Sequence, residues 1–210
     1  DPFDRPYSTG FFKEPVAGPV RVTATHVDGD GQADLENHGG PDKAVLAYSA
    51  DHYPGWRDEL GIAEMPYGGF GENLTIGGLA EADVCVADVW RVGDVVFEVS
   101  QPRQPCWKLA RRWRVKDLPA RVVTTGRSGW YFRVRAVGAA EPGVDGGAGE
   151  PGDVLPQGRP GRVAGIGGRA GAVAQLAGDA DAAGVGVREG EAPAEPRGAK
   201  ARLRGVVRFG

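Results

Sequence analysis

DVVFEVSQPRQPCWKLARRW, residues 94–113, passes from strand to turn to helix. Asp94 to Ser100 alternates apolar and polar side chains, the period of a half-buried strand. Pro102 and Pro105 cannot donate to a ladder and so end it. Trp107, Leu109, Ala110 and Trp113 then recur at helical spacing, which predicts a helix beginning at or beside Cys106. The first turn of a helix carries unpaired N–H groups and a partial positive charge. Arg103 and Lys108 add two cations close by. A thiol with an ordinary pKa of ~8.5 is lowered in such surroundings. Two readings of Cys106 stay open: a held thiolate, or a buried structural residue, the commoner fate of a single cysteine.

Outward from this stretch, the first 137 residues hold all five Trp, all five Tyr and all of the seven Phe except Phe209. Strands are predicted over Val20 to Thr25, Ala44 to Tyr48, Asn73 to Ile76, Asp83 to Arg91, Val95 to Ser100 and Trp130 to Val137. Val92-Gly93-Asp94 reads as the tight turn of a hairpin. Ser49 is positioned to cap a helix over Ala50 to Leu60, and Asp117 one over Leu118 to Thr125, with Gly61 and Gly126 closing them. Many short strands with few helices predict a mainly β chain with short helices (α+β), a barrel or strongly bent sheet. From Gly138 onward Gly, Ala, Arg, Pro and Val dominate and no apolar period persists. Such a segment buries too little to offset an ordering cost of ~1–2 kcal/mol per residue. The expected organisation is therefore a folded domain over 1–137 and a low-complexity, disordered tail over 138–210.

The 210 residues carry a formal net charge of −3, which is not the footprint of a nucleic-acid binder. The short basic run Arg111 to Arg114 reads as a solvated helix face. No apolar run approaches the roughly 18 residues of a membrane span, and the charged, Pro-containing start is unlike a signal peptide. Cys85 and Cys106 make neither a disulfide framework nor a thiolate metal cluster, which suits a reducing cytoplasm. Cys85, in Val84-Cys85-Val86, reads as a small buried hydrophobe in a strand. Asp1 in place of Met points to a processed or truncated N-terminus.

Three further stretches carry chemistry. In HGGPDKAV (His38 to Val45), Gly39 and Gly40 permit close backbone approach or positive φ, Pro41 fixes a turn and Lys43 precedes a strand. Backbone N–H groups with one Lys suit an anion; an ordinary tight turn with a surface Lys is the other reading. His38, His26 and His52 are isolated, so no zinc spacing is present. GGFGENLTIGGL (Gly68 to Leu79) lacks both dinucleotide and P-loop signatures. Its Asn73 can meet a heterocycle edge, or with Glu72 simply close a turn. TGRSGWYFRV (Thr125 to Val134) offers Arg127 as an anion-binding guanidinium or a surface residue. Along it Trp130, Phe132 and Val134 share the expected core face, opposite Tyr131, Arg133 and Arg135.

DLENHGGPDKAV, FGENLTIGGL, SQPRQPCWKLA and TGRSGWYFRV together resemble the MOSC domain family, in particular its YiiM-like subgroup of 6-N-hydroxylaminopurine resistance proteins. The resemblance runs collinearly from about residue 9 to 137. It implies a β-barrel-like fold and places the family's essential cysteine on Cys106, as sulfur carrier or molybdenum ligand of the molybdenum cofactor (molybdopterin). It implies reduction of N-hydroxylated bases, with electrons from a separate reductase, a flavoprotein. Cofactor contacts are expected from His38, Gly39, Gly40, Lys43, Asn73, Arg103 and Arg127. No nucleic-acid polymer or membrane partner is expected. Pyridoxal phosphate enters only through the sulfurases to which related domains are fused, and no such domain fits in this chain. Relative to the family, a first β-strand and a C-terminal three-helix domain are expected to be missing. A sulfur or cofactor carrier and an inactive truncated scaffold stand as the alternatives to a reductase.

Overall fold

The structure, a computed structural model, describes residues 3–140 and the backbone of Leu155–Pro156. Eight strands and four helices are assigned in it. The strands are β1 (Val20–Val22), β2 (Val45–Ser49), β3 (Leu74–Ile76), β4 (Val89–Val92), β5 (Val95–Pro102), β6 (Trp130–Ala136), β7 (Gly138–Ala140) and β8 (Leu155–Pro156). The helices are α1 (Leu35–His38), α2 (Tyr53–Leu60), α3 (Trp107–Trp113) and α4 (Leu118–Thr125). Six strands form one curled sheet in the order β3-β2-β6-β5-β4-β8, and β1 pairs with β7 beside it. Among the described residues only β2 and β3 run parallel; the other pairs are antiparallel. Two register shifts between β5 and β6, at Val96/Phe97 and Val99/Gln101, bend the centre of the sheet as bulges do. The architecture is a half-barrel, mixed α+β, as the sequence predicts. Among the described residues no helix is long and apolar enough to cross a membrane.

Two apolar clusters hold it together. Val22, Val45, Leu74, Phe97, Val99, Trp130 and Phe132 fill the concave face of the sheet. The alternation along β6 therefore points Trp130 and Phe132 inward, as expected, with Tyr131 on the other face. The second cluster is aromatic: Tyr48, Tyr53, Trp56 and Phe70 pack with Leu109, Leu118 and Val122, joining α2, α3 and α4 to β2. Tyr48 and Phe70 stack at 4.3 Å, and the Trp56 indole N–H donates to the Tyr48 hydroxyl at 2.7 Å. Each such side chain contributes about 1.5–3 kcal/mol on full burial.

Several local expectations are revised. Asp83 to Arg91 is not one strand: Glu81–Asp83 is a 3-10 turn and the strand is confined to Val89–Val92. Asp83 accepts from the Ala80 N–H and Asp88 from the Cys85 N–H, so side-chain bonds compete with the ladder. Ala87 takes a positive φ of 71° in the same stretch. Cys85 is consequently half-buried in a turn rather than fully buried in a strand. Asp117 precedes α4 without capping it, because its carboxylate pairs with Arg121 at 2.9 Å. The basic run is not merely a solvated face. Arg111 donates to the Phe3 and Arg5 carbonyls and lies 4.3 Å over the Tyr7 ring; Arg112 covers Phe12 and Arg114 pairs with Asp4. These arginines clamp the N-terminal segment across α3.

Backbone pairing also continues past the change of composition at residue 138. Gly138–Ala140 pairs with β1 and Leu155–Pro156 with β4. The disorder expected for the rest of 138–210 lies outside the described residues.

Candidate functional site

The prolines place the cysteine. Strand β5 runs to Pro102, the Arg103 N–H donates to the Gly129 carbonyl at 3.0 Å, and Pro105 turns the chain into α3. Cys106 is the N-cap residue, with φ −105° and ψ 171°, and its carbonyl accepts from the Leu109 N–H at 3.2 Å. The thiol is half-buried. Burial alone would raise its pKa. A hydrogen bond with His38, the Lys108 backbone N–H and the charges of His38 and Arg103 outweigh burial and lower it. Cys106 is thus half-buried among groups that lower its pKa.

His38 reaches Cys106 from α1, a single turn capped by Asp34, which accepts from the Asn37 N–H at 3.0 Å. That hydrogen bond, the Asn37 amide and the charges of His38 and Lys108 lower the Asp34 carboxyl. A Cβ on Gly39 would lie 2.7 Å from the Leu35 carbonyl, so only glycine allows the chain to leave α1 there. Gly40, at φ 91°, opens the turn into Pro41–Lys43. Lys43 is thereby set beside the cleft, and its Nζ donates to the Asn37 carbonyl at 2.6 Å.

Two adjoining cavities open on Cys106. A cleft is lined by Lys13, Lys43, Arg103 and Lys108, with Asp30, Asp34, Asn73 and the Thr9–Phe11 stretch. Lys13 and Asp30 form an ion pair, which leaves Lys43, Arg103 and Lys108 facing one carboxylate, Asp34. The neighbouring cavity shares Asp34, His38, Lys43, Gln104, Cys106 and Tyr131, and adds Asn37, Gln101, Pro102, Pro105 and Trp107. Burial raises the pKa of Tyr131, which borders both.

Cys106, His38, Lys43 and Arg103 are thus brought together. Arg103 is buried, with Nη2 donating to the Phe70 carbonyl at 2.8 Å. Asn73 forms part of the cleft wall with both ends of its amide engaged: Oδ1 accepts from the Leu46 N–H at 3.0 Å, and Nδ2 donates to Asp30 at 2.7 Å. Gly39 and Gly40 shape the turn without lining either cavity. Arg127 stands apart. It lies 3.7 Å over the Trp56 ring and pairs with Glu59 at 2.9 Å, so its guanidinium is spent on the aromatic core. Sequence reasoning did not select Asp34, Gln104 or Tyr131 for the site; the alternation along β6 was the available signal for Tyr131. Among the described residues no three His, Cys, Asp or Glu side chains gather as a metal-ion ligand set.

A MOSC domain family model matches residues 34–145, which contain His38, Lys43, Arg103 and Cys106. The chain belongs to the MOSC domain family. Over 137 residues it is 49% identical to the Bacillus subtilis (strain 168) protein YflK, covering 65% of this chain and 62% of that protein. It is 40% identical over 134 residues to a Gibberella moniliformis protein named "Reductase", covering 62% of this chain and 24% of that one. The Escherichia coli (strain K12) protein YiiM is 38% identical over 129 residues, covering 59% and 56% of the two chains. The chain therefore spans less than two thirds of each of these relatives. Its MOSC fold matches the crystal structure of YiiM from Geobacillus stearothermophilus with a TM-score of 0.62 at 37% identity, over 76% of this chain and 71% of that one. For YiiM from Escherichia coli the TM-score is 0.59 at 30% identity, over 74% and 69%.

Proposed function

We propose that this MOSC protein binds the molybdenum cofactor with which its family is associated and reduces N-hydroxylated bases or related compounds. The observation that carries the reading is Cys106: a half-buried thiol of lowered pKa at the junction of two cavities, one of them cationic. The donor set fits the group. A thiolate is a soft ligand suited to a metal already held by dithiolene sulfur. Lys43, Arg103 and Lys108 offer charge to a phosphate, and buried Arg103 is locked in place by the Phe70 and Gly129 carbonyls.

When bound, the cofactor would supply two-electron oxygen-atom chemistry, the overall change being N–OH plus two electrons and two protons to N–H and water. The chain's own part is to bind and orient. Cys106 Sγ would hold the metal, with His38 and the Lys108 N–H fixing the direction and charge of that sulfur and Tyr131 bordering both cavities. The electrons would come from a separate flavoprotein reductase. The same half-buried thiol of lowered pKa also suits a persulfide, so sulfur or cofactor carriage is the second reading. Turnover decides between them. Cofactor-loaded protein given an N-hydroxylated purine and a chemical reductant is expected to release the amine catalytically, and Cys106→Ser to lose that activity. Full activity in Cys106→Ser would overturn the mechanism; stoichiometric sulfur transfer without turnover would install the carrier.

A further inference from the structure

The two cavities share Cys106 but have different chemistry in their walls. Lys13, Arg103 and Lys108 belong to the first alone. The second adds Trp107, two prolines and the carboxamides of Asn37 and Gln101, with no further charged side chain. Trp107 follows Cys106 directly and is 53% exposed. Its ring is braced from elsewhere: Tyr7 packs at 5.3 Å between centroids and the Arg111 guanidinium lies 5.5 Å from it. A broad apolar face is thus held in a fixed orientation beside the thiol, at little ordering cost to a ligand. Two polar ends border the same space. Among the described residues neither the Gln104 amide nor the Tyr131 hydroxyl has a hydrogen-bond partner, whereas the Asn37 amide bonds Asp34 and the Gln101 amide bonds the Asp42 carbonyl.

We infer that the second cavity is the substrate subsite and that it selects a neutral, planar nitrogen heteroaromatic ring, with Trp107 as its stacking face. Gln104 and Tyr131 read the ring edge, since an amide and a phenol offer donors and acceptors to ring nitrogens without charge. Anionic groups are drawn to the first cavity, where Arg103 and Lys108 join the shared Lys43. Trp107, Gln104 and Tyr131 are therefore specificity-determining residues. The inference rests on the reading of Cys106 as the reaction centre, and its test is independent of turnover.

Adenine serves as the probe, a planar base without the N-hydroxyl group, titrated calorimetrically into the full chain. Wild type should bind it. Trp107→Ala should weaken binding roughly tenfold or more, as loss of one stacked base does. Trp107→Phe should restore most of it, and Gln104→Ala should give a smaller loss. Retention of inorganic phosphate binding in Trp107→Ala would support the division between cavities. No binding to wild type, or equal binding to Trp107→Ala, would overturn the subsite while leaving Cys106-dependent turnover as a separate question. Trp107-dependent adenine binding in a cofactor-loaded protein that reduces no N–OH compound would keep the subsite and end the reductase reading.

Discussion

The cleft around Cys106 and the loop cluster around Glu72 and Glu81 use the same residue types in opposite ways. Glu72 is buried and satisfied from within, accepting from the Tyr53 hydroxyl, the Gly68 and Phe70 N–H groups at 2.9 and 3.0 Å, and the Thr75 hydroxyl at 2.9 Å. Glu81 is likewise consumed, by His52 at 2.7 Å and the Gly129 N–H at 2.7 Å. Arg127 is spent on Glu59 and Trp56. Around Cys106, by contrast, Lys43 and Lys108 line the cleft, and among the described residues Gln104 and Tyr131 keep free polar ends. A polar residue in a glycine-rich loop becomes a ligand group only if the fold leaves it something to bind. The two regions are nevertheless mechanically linked: Phe70, fixed by Glu72, accepts from Arg103, and Gly129, fixed by Glu81, accepts from the Arg103 backbone N–H. The satisfied region is the frame on which the available one is mounted.

Substitutions should separate frame from cleft. Glu72→Ala removes one acceptor and strands buried donors from four residues, so unfolding in urea should show a loss of about 3–5 kcal/mol. A loss under ~1 kcal/mol would mean the knot is not part of the frame. Glu81→Gln is the next largest, at about 1–3 kcal/mol near neutral pH. Burial alone would raise the Glu81 carboxyl, but the His52 hydrogen bond and charge and the Gly129 N–H outweigh it and lower it from an ordinary 4.5. A carboxylate depressed in the folded state gives stability that is complete above its unfolded value and disappears as pH falls through the folded one. Wild type should therefore lose stability below about pH 4.5, and Glu81→Gln should lose less over that range. Parallel pH profiles for the two proteins would remove Glu81 from the acid response.

Much of this frame was legible because it depends on local pattern. Alternation located β5 and β6, Gly93 at φ 57° marked their hairpin neighbour, and Gly61 and Gly126 took the left-handed conformations expected of helix ends. The proline-cysteine-helix junction was equally readable, since the residues that set Cys106 at the cap of α3 all lie within a few positions. Long-range partners were not. Nothing in Gly138–Ala140 carries strand propensity, and its pairing with β1 joins segments more than a hundred residues apart in the chain. Likewise Arg111 in α3 and Arg114 just after it reach back to Phe3, Asp4 and Tyr7, contacts that leave no periodic trace in either segment. Arg127 resembled an anion ligand because its loop is flanked by glycines; its position over Trp56 follows from how α2 packs, which spacing does not encode.

The contrast between cleft and frame is tested most directly by the molybdenum and pterin content of protein expressed with the cofactor supplied. Wild type should retain both near stoichiometry, Cys106→Ala should lose the molybdenum while staying folded, and Arg127→Ala should keep it. Molybdenum retained in folded Cys106→Ala, or absent from folded wild type, would contradict the assignment of Cys106 as the metal-holding residue.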